Sequence, residues 1–165
     1  MVQMLAQDLV RFSIFRNLSA GQISQILPLV DLCSGAQDSY LFEQGDPAEY
    51  LYVTVKGEVE IRYKAYDGPV MVVTRVKPGG IVGWSAALGR SNYTSGAVCL
   101  EDSQFFRICG GSLRRLCAED PDTGEALMER LASAVADRES YKHSQVVTML
   151  TQNGTGRKPS EEGER

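Results

Sequence analysis

Between Ser39 and Ile108 the apolar residues recur with a period of two, and glycine-bearing turn signals cut that pattern roughly every eight to twelve residues. A period of two sends alternate side chains to opposite faces of an extended chain, so this stretch is committed to strands. Tyr40 and Phe42 precede the turn Gly45-Asp46-Pro47; Leu51, Val53 and Val55 follow it; Val59, Ile61 and Tyr63 come after Lys56-Gly57. Asp67-Gly68 is a hairpin signal ahead of Val70 to Val76, which Pro78-Gly79-Gly80 closes. Ser95 to Leu100 and Gln104 to Ile108 complete the set, and the period changes again at Gly111. Short antiparallel strands at this spacing, about 36–110, predict a sandwich or jelly roll.

Helical spacing flanks the strands. Leu9, Phe12 and Phe15, then Ile23, Ile26, Leu27 and Val30, predict helices over Asp8 to Phe15 and Ser19 to Leu29, with Ser19 as a cap. At the other end Asp120-Pro121-Asp122-Thr123 places proline and acid in a first turn, predicting a helix over about 122–150. The fold class is therefore α+β: an antiparallel β jelly roll flanked by N-terminal and C-terminal helices. A chain of 165 residues with 43% hydrophobic content suits one core, so a single domain is expected over 1–150, followed by a disordered glycine-rich, charged tail at 151–165.

Charge and chemistry narrow the function. Seventeen basic against 21 acidic side chains give −4, and Arg157, Lys158 and Arg165 balance Glu161, Glu162 and Glu164, so the negative charge belongs to the folded part. Such a surface repels phosphate backbones, which argues against direct nucleic-acid binding. The N-terminus has Asp8 and Arg11 and no apolar run of membrane length, so no membrane association and a cytoplasmic location are expected. Cys33, Cys99, Cys109 and Cys117 are unevenly spaced with one histidine, His143, to share, so no metal site is expected and the thiols are read as free and mostly buried. There is no Gly-x-Ser-x-Gly elbow, no Walker motif and no base beside a nucleophile, and Glu101-Asp102 reads as an exposed turn; catalysis is not expected.

Residues 79 to 100, GGIVGWSAALGRSNYTSGAVCL, run from a glycine turn into a short helix-like AAL segment, a polar loop and a β-branched strand. Backbone N–H groups at such a helix start can hold an anion. Gly83, Ala86, Ala87, Leu88, Thr94 and Ser95 give this segment a resemblance to the phosphate-binding cassette of cyclic nucleotide-binding domains of the Crp/Fnr regulator type. Phe42-x-x-Gly45-Asp46-Pro47-Ala48-Glu49-Tyr50-Leu51-Tyr52, Gly57, and Leu100-Glu101-Asp102-Ser103 resemble that family's glycine turn, hairpin glycine and later turn, so the likeness runs from about Asp8 to Arg138. It implies a cyclic nucleotide-binding-like, cupin-like double-stranded β-helix, and a small-molecule site on Gly83, Trp84, Ser85, Ala86, Ala87, Arg90, Tyr93, Thr94, Ser95 and Arg138.

Two positions depart from the family pattern. Trp84 stands where the resemblance places a glutamate for the ribose, and Tyr93 where it places the arginine that pairs with the cyclic phosphate. Indole offers one donor and no acceptor, and a neutral hydroxyl is no substitute for a charged fork. The two losses amount to about 1–3 and 1.5–3 kcal/mol, or roughly two to four decades of cyclic AMP affinity. Arg90 either swings onto the anion or is a solvated loop residue; Trp84 either stacks on a base or closes an apolar pocket, or else fills it as core.

The resemblance implies that the last helix dimerises and lays a side chain near Arg138 over the base. Leu127, Leu131, Ala134 and Tyr141 keep heptad-like spacing that Arg138 and Gln145 interrupt, so a helix packed on its own domain stands beside a dimer interface. The tail leaves no room for a helix-turn-helix. The expected function is a non-catalytic, small-molecule-sensing regulatory module with altered or lost cyclic AMP affinity, without a cofactor beyond a possible cyclic nucleotide or other small anionic or aromatic effector. Its expected partners are that effector and, through the C-terminal helix, a protein or a second copy. An interaction module with a decayed ligand site is the alternative.

Overall fold

The computed structural model describes residues 6–134. Among the described residues eight strands make two four-stranded sheets in which every neighbouring pair is antiparallel. The first is ordered β1 (Val30–Gly35), β8 (Ser103–Cys109), β3 (Tyr50–Lys56), β6 (Ile81–Val82); the second β2 (Tyr40–Phe42), β7 (Gly96–Cys99), β4 (Val59–Lys64), β5 (Val70–Val76). Apart from the β4–β5 hairpin, chain neighbours alternate between sheets, which is the jelly roll expected from the turn spacing.

Each of β3 and β8 is buried on both faces, which explains why YLYVTV and FFRI read as nearly continuous apolar runs. Leu51, Val53, Phe106 and Ile108 face a core shared with the helices, while Tyr52 and Phe105 face a second core between the sheets. The helix-side core is closed by α2 (Ala20–Ile26), α4 (Gly110–Glu119) and a final helix, α5, described over 121–134, through Ile23, Ile26, Leu113, Leu116, Leu127 and Leu131. Ser19 caps α2: its Oγ accepts from the Gln22 N–H, while the Gln22 side chain accepts from the Ser19 N–H. Asp120 starts α5 by accepting from the Thr123 hydroxyl at 2.8 Å and from Gln25 of α2 at 2.7 Å, with Pro121 in the first turn.

Four expectations are corrected. The helix read over Asp8 to Phe15 is α1 (Ala6–Leu9) and a separate 3-10 turn (Ser13–Phe15), parted by an extended Phe12 at φ −100° and ψ 139°. The break sets the Phe12 ring edge-on to Phe106 at 5.1 Å while Leu9, Ile14 and Phe15 remain buried; apolar burial outweighs the few hydrogen bonds of so short a helix. The helix read to Leu29 ends at Ile26 and tightens into a 3-10 turn over Leu27–Leu29, where Pro28 has no N–H to offer. Val30 is not helical but opens β1, an edge strand that pairs only with β8. Of the four free thiols only Cys99 is fully buried; Cys109, at the N-cap position of α4, is exposed, and the Ser112 backbone N–H pulls it below the ordinary thiol value.

The expected continuation of the last helix to Leu150, the expected domain limit there, Arg138, Tyr141, His143 and Gln145, and the tail at 151–165 lie outside the described residues. Among the described residues no helix is long and apolar enough to cross a membrane.

Candidate functional site

The cassette is built where β6 ends. Gly83 adopts φ +81° and turns the chain into α3 (Trp84–Ala87). Space also demands glycine there: a Cβ would sit 2.8 Å from the Tyr50 carbonyl oxygen, with the Tyr93 and Phe42 rings at 3.2 and 3.3 Å. Ser85, Ala86 and Ala87 are buried. The Ala86 N–H donates to the Gly83 carbonyl at 3.1 Å, Leu88 to Trp84 at 3.2 Å and Arg90 to Ser85 at 3.1 Å. The amide of Ala86, a candidate anion donor from sequence, is thus taken up by the turn itself.

Trp84 is half-buried and packs on the helix-side core, away from the core between the sheets, and the Arg90 guanidinium stands 5.8 Å from its ring centroid. Arg90 is exposed. Thr94 is exposed and Ser95 half-buried. Of the sequence-predicted residues, Gly83 and Tyr93 are brought together, whereas Trp84 and Arg90 form a separate pair.

Tyr93 is only 5% exposed. Its ring stacks on Phe42, with centroids 3.6 Å apart and planes at 14°. Its hydroxyl accepts from the Tyr50 N–H at 3.0 Å and donates to the Tyr50 carbonyl at 2.6 Å, so one side chain satisfies both main-chain groups of a residue in β3. The loop that carries Tyr93 is laced to the Gly45 turn: Tyr93 N–H to Asp46 O, Gly45 N–H to Tyr93 O and Ala48 N–H to Ser91 O each measure 2.9 Å, and the Asn92 side chain donates to Gly45 O at 2.8 Å. Burial pushes the Tyr93 hydroxyl above the ordinary tyrosine value; the Tyr50 main chain opposes that, and the Glu49 and Asp46 charges reinforce it.

Beside this clasp lies a cleft of about 270 Å³, lined by Leu41, Phe42, Asp46, Pro47, Glu49, Tyr50, Tyr52 and Tyr93. Its walls are aromatic and its charged groups are carboxylates. Tyr52 is likewise pushed up, chiefly by burial and next by Tyr93. The Arg107 guanidinium, from the β8 residue paired with Tyr52, sits 4.2 Å from the Tyr50 ring centroid and 3.7 Å from Asp31 Oδ2. Sequence reasoning did not assign Phe42, Tyr50, Tyr52 or Arg107 to the site. Strand parity carried the signal, because Tyr50 and Tyr52 are two apart and point to one face.

The cassette also rests on α4. Arg114 Nη1 donates to the Ala86 carbonyl oxygen, and a Cβ on Gly110 would lie 2.7 Å from the Ala86 carbonyl carbon. The Gly110 N–H donates to the Glu49 carbonyl at 2.8 Å, so the cleft rim, the cassette and the start of α4 meet at one place.

Comparison with known proteins agrees with this fold. Residues 34–120 match the family model described as the cyclic nucleotide-binding domain. The chain is 24% identical over 124 residues to a CRP-like cAMP-activated global transcriptional regulator of Mycobacterium tuberculosis, covering 75% of this chain and 55% of that protein. It is 26% identical over 138 residues to the global nitrogen regulator of Synechococcus elongatus, covering 82% of this chain and 60% of that one. The chain therefore spans little more than half the length of these curated relatives. A solved structure from Geobacter metallireducens, of a protein named for cyclic nucleotide binding, superposes with a TM-score of 0.74 at 27% identity, over 82% of this chain and 98% of that one.

Proposed function

The chain belongs to the cyclic nucleotide-binding domain family, and from that premise we propose that it is a non-catalytic regulatory module, cytoplasmic, that senses a small molecule other than cyclic AMP. One observation carries the reading: where the family resemblance places the phosphate-binding arginine, a buried tyrosine is stacked on Phe42 and bonded to both main-chain groups of Tyr50. A cyclic phosphate there meets no guanidinium and must approach Asp46 and Glu49, which line the adjoining cleft. Desolvating an anion beside like charges is unfavourable. An effector enters the cleft beside Tyr93 instead. Its occupancy is passed on through the Glu49–Gly110 and Ala86–Arg114 contacts to α4, and from there through the Asp120 cap to α5, which meets a partner protein or a second copy.

The packing at Gly83 favours a second reading, an interaction module whose ligand site has decayed, because the rings of Phe42 and Tyr93 already fill the space beside it. Ligand linkage separates the two. A ligand at 100 times its dissociation constant adds about 2.7 kcal/mol to stability. Melting is measured with cyclic AMP, cyclic GMP and a metabolite panel, on the chain as it stands and on a Trp84→Glu, Tyr93→Arg double variant. We expect no shift with cyclic AMP for the unaltered chain, a gain for a folded double variant, and a shift with another compound. Micromolar cyclic AMP binding by the unaltered chain overturns the proposal; no shift with any compound favours the decayed site.

A further inference from the structure

We propose that the cleft beside Tyr93 selects a small organic cation, of the alkylammonium class, over an anion of the same shape. The inference rests on the reading above that this cleft is the effector site. Phe42, Tyr50, Tyr52 and Tyr93 supply its rings, and the faces of such rings attract positive charge. Among the described residues Asp46 and Glu49 supply its charged groups, and no described Lys, Arg or His lines it. Neither carboxylate has an ion-pair partner among the described residues, and Asp46 commits one oxygen, Oδ2, to the Glu43 N–H at 2.8 Å.

Two further features bear on the local field. The charges of Glu49 and Asp46 both resist ionisation of the Tyr93 hydroxyl while Arg107 eases that of Tyr52, so negative charge is disfavoured at the Tyr93 end of the cleft. The Tyr50 ring already holds a cation on one face, Arg107 at 4.2 Å, and that guanidinium is offset by Asp31 at 3.7 Å. A volume of about 270 Å³ is just below the range of pockets for drug-sized ligands, which restricts the occupant to a small molecule.

Choline, 3,3-dimethylbutan-1-ol and 3,3-dimethylbutanoate carry closely similar branched heads and differ in charge, so they separate charge from shape. Each is titrated into the full chain by calorimetry and by proton NMR. We expect choline to bind roughly tenfold more tightly than the alcohol, with the butanoate weakest, and its methyl protons to move upfield in the ring currents of the cleft. Glu49→Gln should weaken choline several-fold and Glu49→Lys more, and both should leave the alcohol unchanged; Glu49 is exposed, so these variants are expected to fold. Equal binding of choline and the alcohol, tightest binding of the butanoate, or indifference to Glu49→Gln overturns charge selection while the cleft remains the effector site. If none of the three binds at millimolar concentration the cation is also overturned, and if the metabolite panel then gives no shift either, the effector reading falls with it.

Discussion

Where the family resemblance places a charged contact to a ligand, Tyr93 makes two contacts to the protein's own backbone, and its hydroxyl can be removed without changing the shape of the ring. Tyr93→Phe keeps the stack on Phe42 but leaves the N–H and carbonyl of Tyr50 without the hydroxyl they share. An abandoned buried donor or acceptor costs about 1–3 kcal/mol, and we expect a loss of that size in urea unfolding. Alkaline pH tests the same residue. A tyrosine is neutral while protonated, and burial raises the folded value of Tyr93 and Tyr52 above that of the unfolded chain. Their contribution is therefore complete below about pH 10, the ordinary tyrosine value, and is lost as pH rises from there through the folded values. Stability followed against pH should fall above pH 10, and less steeply in Tyr93→Phe. None of the clasp was legible in the sequence. Its partner is main chain 43 residues away, and main-chain atoms carry no residue signature.

Neighbouring glycines at the start of α4 make opposite predictions, because one is an approach point between elements and the other is not. Gly110 lies against the carbonyl of Ala86, and that carbonyl belongs to the backbone of α3, which cannot give way cheaply. Gly110→Ala should lose about 1–3 kcal/mol by overpacking and part the cassette from α4. At Gly111 a Cβ would meet only Arg114 Nη2 and Cys109 Sγ, both at 3.9 Å, so Gly111→Ala should gain up to about 1 kcal/mol of helix propensity. Thermal melting of the two variants reads both signs. At this scale the sequence was a good guide wherever a period or a turn residue decided the element: β3, β4, β5 and β8, the Ser19 cap and the helix start at Asp120-Pro121. It misled where tertiary pairing decided. Val30 continued a helical spacing yet opens β1, whose Leu32 is 45% exposed, because β8 offers an unpaired edge there. The two-residue β6 is too short for any period to show.

The molecule has two cores but its sheets do not allow them to be independent. β3 sends Leu51 and Val53 to the helix-side core and Tyr52 to the core between the sheets; β8 divides Phe106 and Phe105 in the same way. Losing either core strips one face of both strands, and a strand paired at six positions, as β3 is to β8, does not persist half-solvated. Unfolding should therefore be one cooperative step, and the chain carries a reporter for each core. Trp84, the only tryptophan, packs on the helix-side core, while Tyr52 and Tyr93 lie in the other. Tryptophan fluorescence and tyrosine near-ultraviolet dichroism, followed through the same urea titration, should give one midpoint and one slope, as two-state domains do. The proposed effector site would draw on this coupling. The cleft opens on Tyr50 and Tyr52 of a strand whose opposite face supports the helices, so a ligand that tightens the aromatic wall also tightens the seat of α4 and α5. If the tyrosine signal were lost at lower urea than the tryptophan signal, the inter-sheet core would melt on its own. Ligand binding there would then leave the helices where they are, and transmission through β3 would have to be abandoned.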